Sequence, residues 1–194
     1  MLNSIAKKVA NRLLLRQIIS EKYLDIYVYG LELLLSSLFS VSIILIIGCF
    51  LGQLIKTICF LFLFICLRSF TGGYHANTYL ACAIVTFSIF FAVTILSSYI
   101  VVSNLLYAIF AFIGTGVVLG VAPIENPNKK LDTSQKCKFK IISVALFLIF
   151  ILFGLFIKQF SASLSSVAFF TLLADIILLF IKNPKERRIK HEIH

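Results

Sequence analysis

Long apolar runs, separated by short polar breaks, constrain this chain more than any other feature of its sequence. They recur from Ile26 to Ile181, and a soluble core could not hide all of them. Charged residues make up 13% of the chain, whereas a soluble domain carries about 25%. The runs lack the short alternating strands of outer-membrane barrels. Each span is therefore expected to be a helix, which satisfies its backbone polar groups internally, and the sequence predicts an all-α polytopic membrane protein.

Six transmembrane helices are predicted, in a single integral membrane domain that covers residues 1–194. They are expected at about 27–50, 54–67, 78–98, 100–121, 141–157 and 160–181. The second span is short: at about 1.5 Å per residue it reaches only about 21 Å, less than a hydrocarbon core of ~30 Å. We therefore expect Arg68 to lie in an irregular loop, partly within the membrane boundary and inside a protein cavity.

Three polar segments flank or interrupt the spans. Residues 1–22 predict an amphipathic helix that lies in the membrane interface or, alternatively, a flanking helix that only sets topology. They lack the separate apolar core and cleavage site of a signal peptide, so we expect them to be retained. Residues 122–140 predict a basic cytoplasmic loop, and residues 182–194 predict a basic cytoplasmic tail.

The distribution of positive charge orients the spans. With the N-terminus inside, all but two of the 18 lysines and arginines fall on the inner side, and the two exceptions are Lys56 and Lys158. This asymmetry follows the positive-inside rule and places both termini in the cytoplasm. In a soluble protein the net charge of +10 would suggest nucleic acid. Here membrane topology accounts for it, so the lipid bilayer is an expected partner and nucleic acid is not.

One short segment concentrates the polar chemistry of the chain. Residues 68–77 read RSFTGGYHAN, and a helical run that carries Cys82 follows them. The segment joins a fixed cation, a glycine pair and the imidazole of His75, with the thiol nearby. Histidine and cysteine so close in sequence suggest a nucleophilic pair, in which the imidazole takes the thiol proton.

The spacing of this pair sets a condition on its local structure. A continuous helix from His75 to Cys82 would separate the two by about 10 Å, so His75 must lie outside the helix, on a chain that folds back. Gly72 and Gly73 allow such a turn, and Asn77 is expected to cap the helix that follows it. A simpler interpretation is that Cys82 only fills space and His75 is only solvated, so spacing alone leaves catalysis open.

Two other polar residues enter the analysis. Glu32 lies within the first span, where an acid is costly, so it is a functional candidate unless it stays wet near the interface. We hypothesise that Glu32 pairs with Arg68, which otherwise holds a substrate carboxylate. Cys137 is the rival thiol, in a lysine-rich loop that favours thiol reactivity but without a histidine nearby in sequence. The cysteines have no metal-type spacing, so neither a metal nor a cofactor is predicted.

Together these residues resemble the accessory gene regulator B family of Gram-positive bacteria. The residues that carry the resemblance are, in order, Glu32, Arg68, Gly72, Gly73, His75 and Cys82. The resemblance implies a membrane cysteine endopeptidase whose catalytic residues are His75 and Cys82. The residues expected to support the site or bind substrate are Glu32, Arg68, Gly72, Gly73 and Asn77. It further implies a homodimer in the plasma membrane of a Gram-positive bacterium, with the active site at the cytoplasmic face.

The resemblance also implies a substrate. It is a short autoinducer propeptide with an amphipathic leader and an acidic C-terminal tail, which basic residues of the loop, among them Lys129 and Lys130, would attract. The Cys82 thiolate would cut off the C-terminal part. The resulting acyl thioester would then close into a thiolactone or lactone signal for quorum sensing.

A function of a different class is also compatible with the sequence. The protein could be a membrane transporter, or a peptide-binding or export subunit without catalysis. Glu32, Arg68 and Asp175 would then line a polar path across the membrane. A transporter should tolerate the change Cys82→Ala, whereas a thiol peptidase should not.

Overall fold

The protein is a bundle of α-helices. The computed structural model describes residues 2–72, 79–124 and 132–181. Within these ranges the helices are α1 (Leu2–Leu15), α2 (Leu24–Phe50), α3 (Leu54–Thr71), α4 (Tyr79–Tyr99), α5 (Asn104–Val121), α6 (Thr133–Ile157) and α7 (Ala162–Phe180), with a short 3-10 helix at Glu21–Tyr23. Six of them, α2 to α7, are long and apolar enough to cross a membrane. The predicted all-α polytopic architecture is therefore confirmed.

Helices α3 and α7 form the centre of the bundle. The protein itself buries 44% of the most apolar stretch of α3 and 61% of that of α7, against 11–28% for the other spanning helices. Two apolar clusters surround them. One joins α3, α5, α6 and α7 around Leu67, Phe147 and Leu172, and the other joins α2, α3, α4 and α7 around Phe60 and Phe90. A polar side chain on the inner face of α3 or α7 is therefore shielded from lipid.

The second span is longer than the sequence predicted. Helix α3 continues to Thr71, so Arg68 lies in its last turn and not in an irregular loop. The Ser69 hydroxyl donates a hydrogen bond of 2.7 Å to the carbonyl of Ile65, so its polarity is satisfied within the helix and does not break it. Gly72, at φ +70°, ends the helix. The 18 residues of α3 span about 27 Å, close to the thickness of a hydrocarbon core.

The fifth span begins earlier than predicted. Helix α6 starts at Thr133, so residues 133–140, predicted as part of a loop, are helical. Asp132 caps the helix: its carboxylate accepts from the Thr133 N–H at 2.9 Å, and the Gln135 side chain accepts from the Asp132 N–H at 3.3 Å. This capping box offsets the cost of starting a helix within a polar segment. Cys137 is exposed and lies near the start of α6 rather than in a flexible loop.

Removal of the α6 cap should loosen the start of that helix. Asp132→Ala leaves first-turn N–H groups without an acceptor, at a cost of about 1 kcal/mol. Amide hydrogen exchange at residues 133–136 should then be roughly fivefold faster, the rate ratio that this free energy predicts. Asp25→Ala is the control, because Asp25 lies in the first turn of α2 and is not its N-cap. Equal exchange in the Asp132 variant and the unmodified protein would show that the cap does not hold the helix start.

Helix α1 lies against α2 through small residues. Ala6 and Ala10 are fully buried, whereas the larger Ile5 and Val9 are 48% and 38% exposed. Small side chains allow the two helices to approach closely, and the exposed apolar side chains remain available to a membrane interface. The interfacial position of residues 1–22 stays a prediction.

Candidate functional site

Three helices bring a cation, an acid and a thiol together at one end of the bundle. Arg68 comes from the last turn of α3, and its guanidinium carbon lies 5.6 Å from the centre of the Phe64 ring, a cation–π contact. The guanidinium also interacts electrostatically with Asp175 of α7 and with Cys82 of α4. The site therefore has a charged centre on the most buried pair of helices, and a thiol in the first turn of α4 at the same end of the bundle.

The positions of these residues along their helices are consistent with this arrangement. Arg68 lies about 21 Å along α3 and Asp175 about 20 Å along α7. Three spanning helices, α4, α5 and α6, lie between α3 and α7 in the chain. Because this number is odd, α3 and α7 run in the same direction, and the two residues are at similar depths. Helix α4 runs in the opposite direction and begins at this end, with Cys82 about 5 Å from its start.

Asp175 is the acid in this group. Only 4% of its surface is exposed, and its Oδ2 atom has no hydrogen-bond partner in the part of the chain that the structure describes. Burying a carboxylate without a counter-charge is unfavourable, and Arg68 supplies that charge. From the sequence, Asp175 was considered only as part of a transport path. An acid inside an apolar span is itself an indication of a functional site, and this indication could have identified Asp175.

The end of α3 is fastened to the segment that follows α5. The Ile124 N–H donates to the Thr71 carbonyl at 2.9 Å, and Gly72 forms a parallel bridge with Ile124. Gly72 has φ +70°, and a Cβ atom there would collide with the carbonyl oxygen of Ile124. Glycine is therefore required both by the backbone conformation and by the close approach of a second chain segment. Sequence reasoning expected the turn at Gly72 but not this junction.

Glu32 is buried at the same end of the bundle. Only 8% of its surface is exposed, so the structure does not support the alternative in which its carboxylate stays hydrated near the membrane interface. Gly48 of α2 lies against Thr57 of α3, and this contact sets the register of the antiparallel pair. Glu32 lies about 24 Å from the contact along α2, and α3 ends at Thr71, about 21 Å from it. Glu32 is therefore level with the end of α3, and its pairing with Arg68 stays a hypothesis.

Several predicted site residues lie outside the described part of the chain. They are Gly73, His75, Asn77, Lys129 and Lys130, and their predicted roles stay predictions. Cys82 is described: it is partly buried and not in a disulfide. It lies on α4, within electrostatic range of the Arg68 guanidinium. No group of three or more potential metal ligands occurs in residues 2–72, 79–124 and 132–181.

Comparison with known proteins identifies the family. A sequence model described as Accessory gene regulator B matches residues 3–181. An AgrB-like protein 2 of Clostridium perfringens (strain 13 / Type A) is 27% identical over 161 residues, which cover 76% of this chain and 75% of that protein. An AgrB-like protein of C. perfringens strain SM101 is 28% identical over 139 residues, 64% of each chain. No solved structure matches. Because the family match covers all six spanning helices, the chain belongs to the accessory gene regulator B family, whose members act in quorum-sensing peptide processing.

Proposed function

We propose that this protein is a membrane cysteine endopeptidase that cuts the C-terminal part off an autoinducing-peptide precursor and lets the remainder cyclise. The observation that carries the proposal is the position of Cys82, which is partly buried in the first turn of α4, at the end of the bundle where the last turn of α3 carries Arg68. A cation beside a cysteine stabilises the negative charge that thiol chemistry develops, first on sulfur and then on the attacked carbonyl oxygen. Family membership supports the peptide substrate.

The first half of the reaction is an acyl transfer to Cys82. The His75 imidazole takes the thiol proton, and the thiolate forms a bond to the carbonyl carbon at the cut site. When the tetrahedral intermediate collapses, the C–N bond breaks, and the imidazolium returns its proton to the leaving amine. The products are the released C-terminal fragment and a thioester between Cys82 and the remaining peptide.

The second half of the reaction closes the ring. A cysteine thiol or serine hydroxyl inside the bound peptide attacks the thioester carbonyl, a thiolactone or lactone forms, and Cys82 leaves as a thiol. This step competes with hydrolysis, so the site must limit access of water. The partial burial of Cys82 and the burial of Asp175 and Glu32 support such an environment.

The charge around the site suits a substrate with an acidic tail. Lys136 and Lys138 are exposed near the start of α6, and Phe139 between Lys138 and Lys140 lies edge-on to Phe70 of α3, with ring centres 6.0 Å apart. The basic start of α6 therefore lies next to the end of α3 that carries Arg68. We propose that these lysines, together with Lys129 and Lys130, draw the acidic tail to the cytoplasmic face, and that the protein acts as a homodimer.

Detection of the covalent intermediate tests this function directly. The purified protein in lipid vesicles is mixed with its cognate propeptide, quenched in acid and examined by mass spectrometry. We expect an acyl peptide attached to Cys82, formed together with the released C-terminal fragment. Cys137→Ala is the matched control, because it removes an exposed thiol and should leave the intermediate unchanged.

Other results would lead to other functions. An adduct on a different cysteine, or release of the fragment by the Cys82→Ala variant, would contradict Cys82 as nucleophile. Binding of the propeptide without any cleavage by the unmodified protein would support the transporter or export-subunit alternative, in which Arg68 and Asp175 are part of a polar path.

A further inference from the structure

We propose that Asp175 is a positioning residue of this site, which holds the Arg68 guanidinium beside Cys82. The effect of Asp175 on catalysis rests on the proposed function, whereas the pairing of Asp175 with Arg68 does not. Asp175 lies on α7, far along the chain from residues 68–82, and neither the sequence pattern nor the family resemblance assigned it a catalytic role.

The first argument is burial. Asp175 is 4% exposed on the most buried of the spanning helices, and its Oδ2 atom has no hydrogen-bond partner among the described residues. An acid is rarely placed at such a position unless it faces the bundle interior and meets an opposite charge or a function. Arg68 on the neighbouring helix supplies the opposite charge.

The second argument is the rigidity of the helix pair. Leu67 and Ile176, each adjacent in sequence to one of the two charged residues, belong to the same buried core cluster. Asp175 from α7 and Cys82 from α4 both lie within electrostatic range of the Arg68 guanidinium. Packing therefore fixes the helix that carries the acid against the helix that carries the guanidinium.

The third argument is what Arg68 would do without the acid. Arg68 is in the last turn of α3, so its long side chain can reach the aqueous face of the membrane by snorkelling. Removal of the Asp175 charge weakens the attraction that keeps the guanidinium inside the bundle, so we expect Arg68 to turn outward in Asp175→Asn. Cys82 would then lose its neighbouring cation, although Asp175 itself need not touch the substrate.

A charge-sensitive alkylation experiment tests the contact without any substrate. Rates of alkylation at Cys82 are measured by mass spectrometry in the full chain in vesicles, once with the anion iodoacetate and once with neutral iodoacetamide. The ratio of the two rates reports the charge near the sulfur, because the fraction of thiolate cancels. We expect Asp175→Asn to lower the ratio about threefold or more, to the value of Arg68→Gln, and Asp175→Glu to restore most of it.

The controls make the result decisive. Asp25→Asn removes an exposed acid near the start of α2, at the same end of the bundle, and should leave the ratio unchanged. An unchanged ratio of the two alkylation rates in Asp175→Asn would overturn the inference. An increased ratio would overturn it as well, because it would mean that Arg68 stays near Cys82 without the negative charge of Asp175. If Asp175→Asn does not fold, the double variant Arg68→Gln/Asp175→Asn should fold, because both members of the proposed pair are then neutral. Failure of the double variant as well would also overturn the inference.

The cleavage assay separates this inference from the proposed function. Asp175→Asn should lower kcat with little change in KM, and Asp175→Glu should recover part of kcat, because the acid acts on Arg68 and not on substrate binding. A lowered alkylation ratio with no cleavage by any protein would reject the proposed function and keep the contact. Normal cleavage with an unchanged ratio would reject the contact and keep the proposed function.

Discussion

Cys82→Ala, His75→Ala and the double variant are each expected to lower kcat for propeptide cleavage by about 10⁴-fold or more, to the same residual level. The two side chains act as one unit: without the imidazole the thiol proton has no acceptor, and without the thiol the imidazole has nothing to activate. Once either is lost, loss of the other should cost little more. Single-turnover cleavage in vesicles, followed by chromatography of the released fragment, measures all three rates.

A matched control tests whether the loss belongs to this thiol. Cys66 is also partly buried and lies on α3, one turn from the end that carries Arg68, so Cys66→Ala should cleave at nearly the normal rate. Losses that add in the double variant would show that His75 and Cys82 act separately. Normal cleavage by His75→Ala would assign the proton transfer to a different group while keeping Cys82 as nucleophile.

The fold could be predicted because membrane insertion imposes few solutions. Each apolar run had to be a helix, so the number and order of the spans followed from the sequence alone. The ends of helices could not be predicted as well, because local hydrogen bonds decide them. At the end of α3, Ser69 bonds back to the preceding turn, and at the start of α6, Asp132 and Gln135 cap the helix. Polar residues that look like breaks are therefore part of the helices.

The candidate site was predicted only where it is local in sequence. Arg68, Gly72 and Cys82 fall within one short segment, so their proximity could be expected. The proximity of Arg68 and Asp175 depends on how α7 packs against α3. The sequence marks Asp175 as an unusual residue for a span but does not show which helix it faces. The junction between Gly72 and Ile124 depends in the same way on where the chain returns after α5. Long-range contacts of this kind require the three-dimensional structure.

Gly72→Ala is expected to lower the cleavage rate by about 100-fold, the loss that a displacement of about 1 Å near reacting groups can produce. Alanine at φ +70° and ψ −142° is strained by about 1–3 kcal/mol, and its Cβ would also collide with the Ile124 carbonyl. The strain is relieved only if the end of α3 moves away from Ile124. That movement breaks the hydrogen bond between Ile124 and Thr71 and displaces Arg68, one turn before. Single-turnover cleavage and the midpoint of thermal unfolding would both be measured.

Gly116→Ala distinguishes this effect from a general sensitivity to added methyl groups. Gly116 is inside α5, and a Cβ atom there would meet nothing within 4 Å. That change should leave cleavage intact and favour the helix by up to about 1 kcal/mol. If Gly72→Ala cleaves normally, the junction with Ile124 does not position the site. If Gly72→Ala unfolds the protein at the assay temperature and Gly116→Ala does not, the junction with Ile124 is required for folding. The cleavage rate of Gly72→Ala is then measured at a temperature below its unfolding midpoint. A large loss of cleavage in a folded Gly72→Ala protein is the result that would tie the end of α3, and Arg68 with it, to the chemistry.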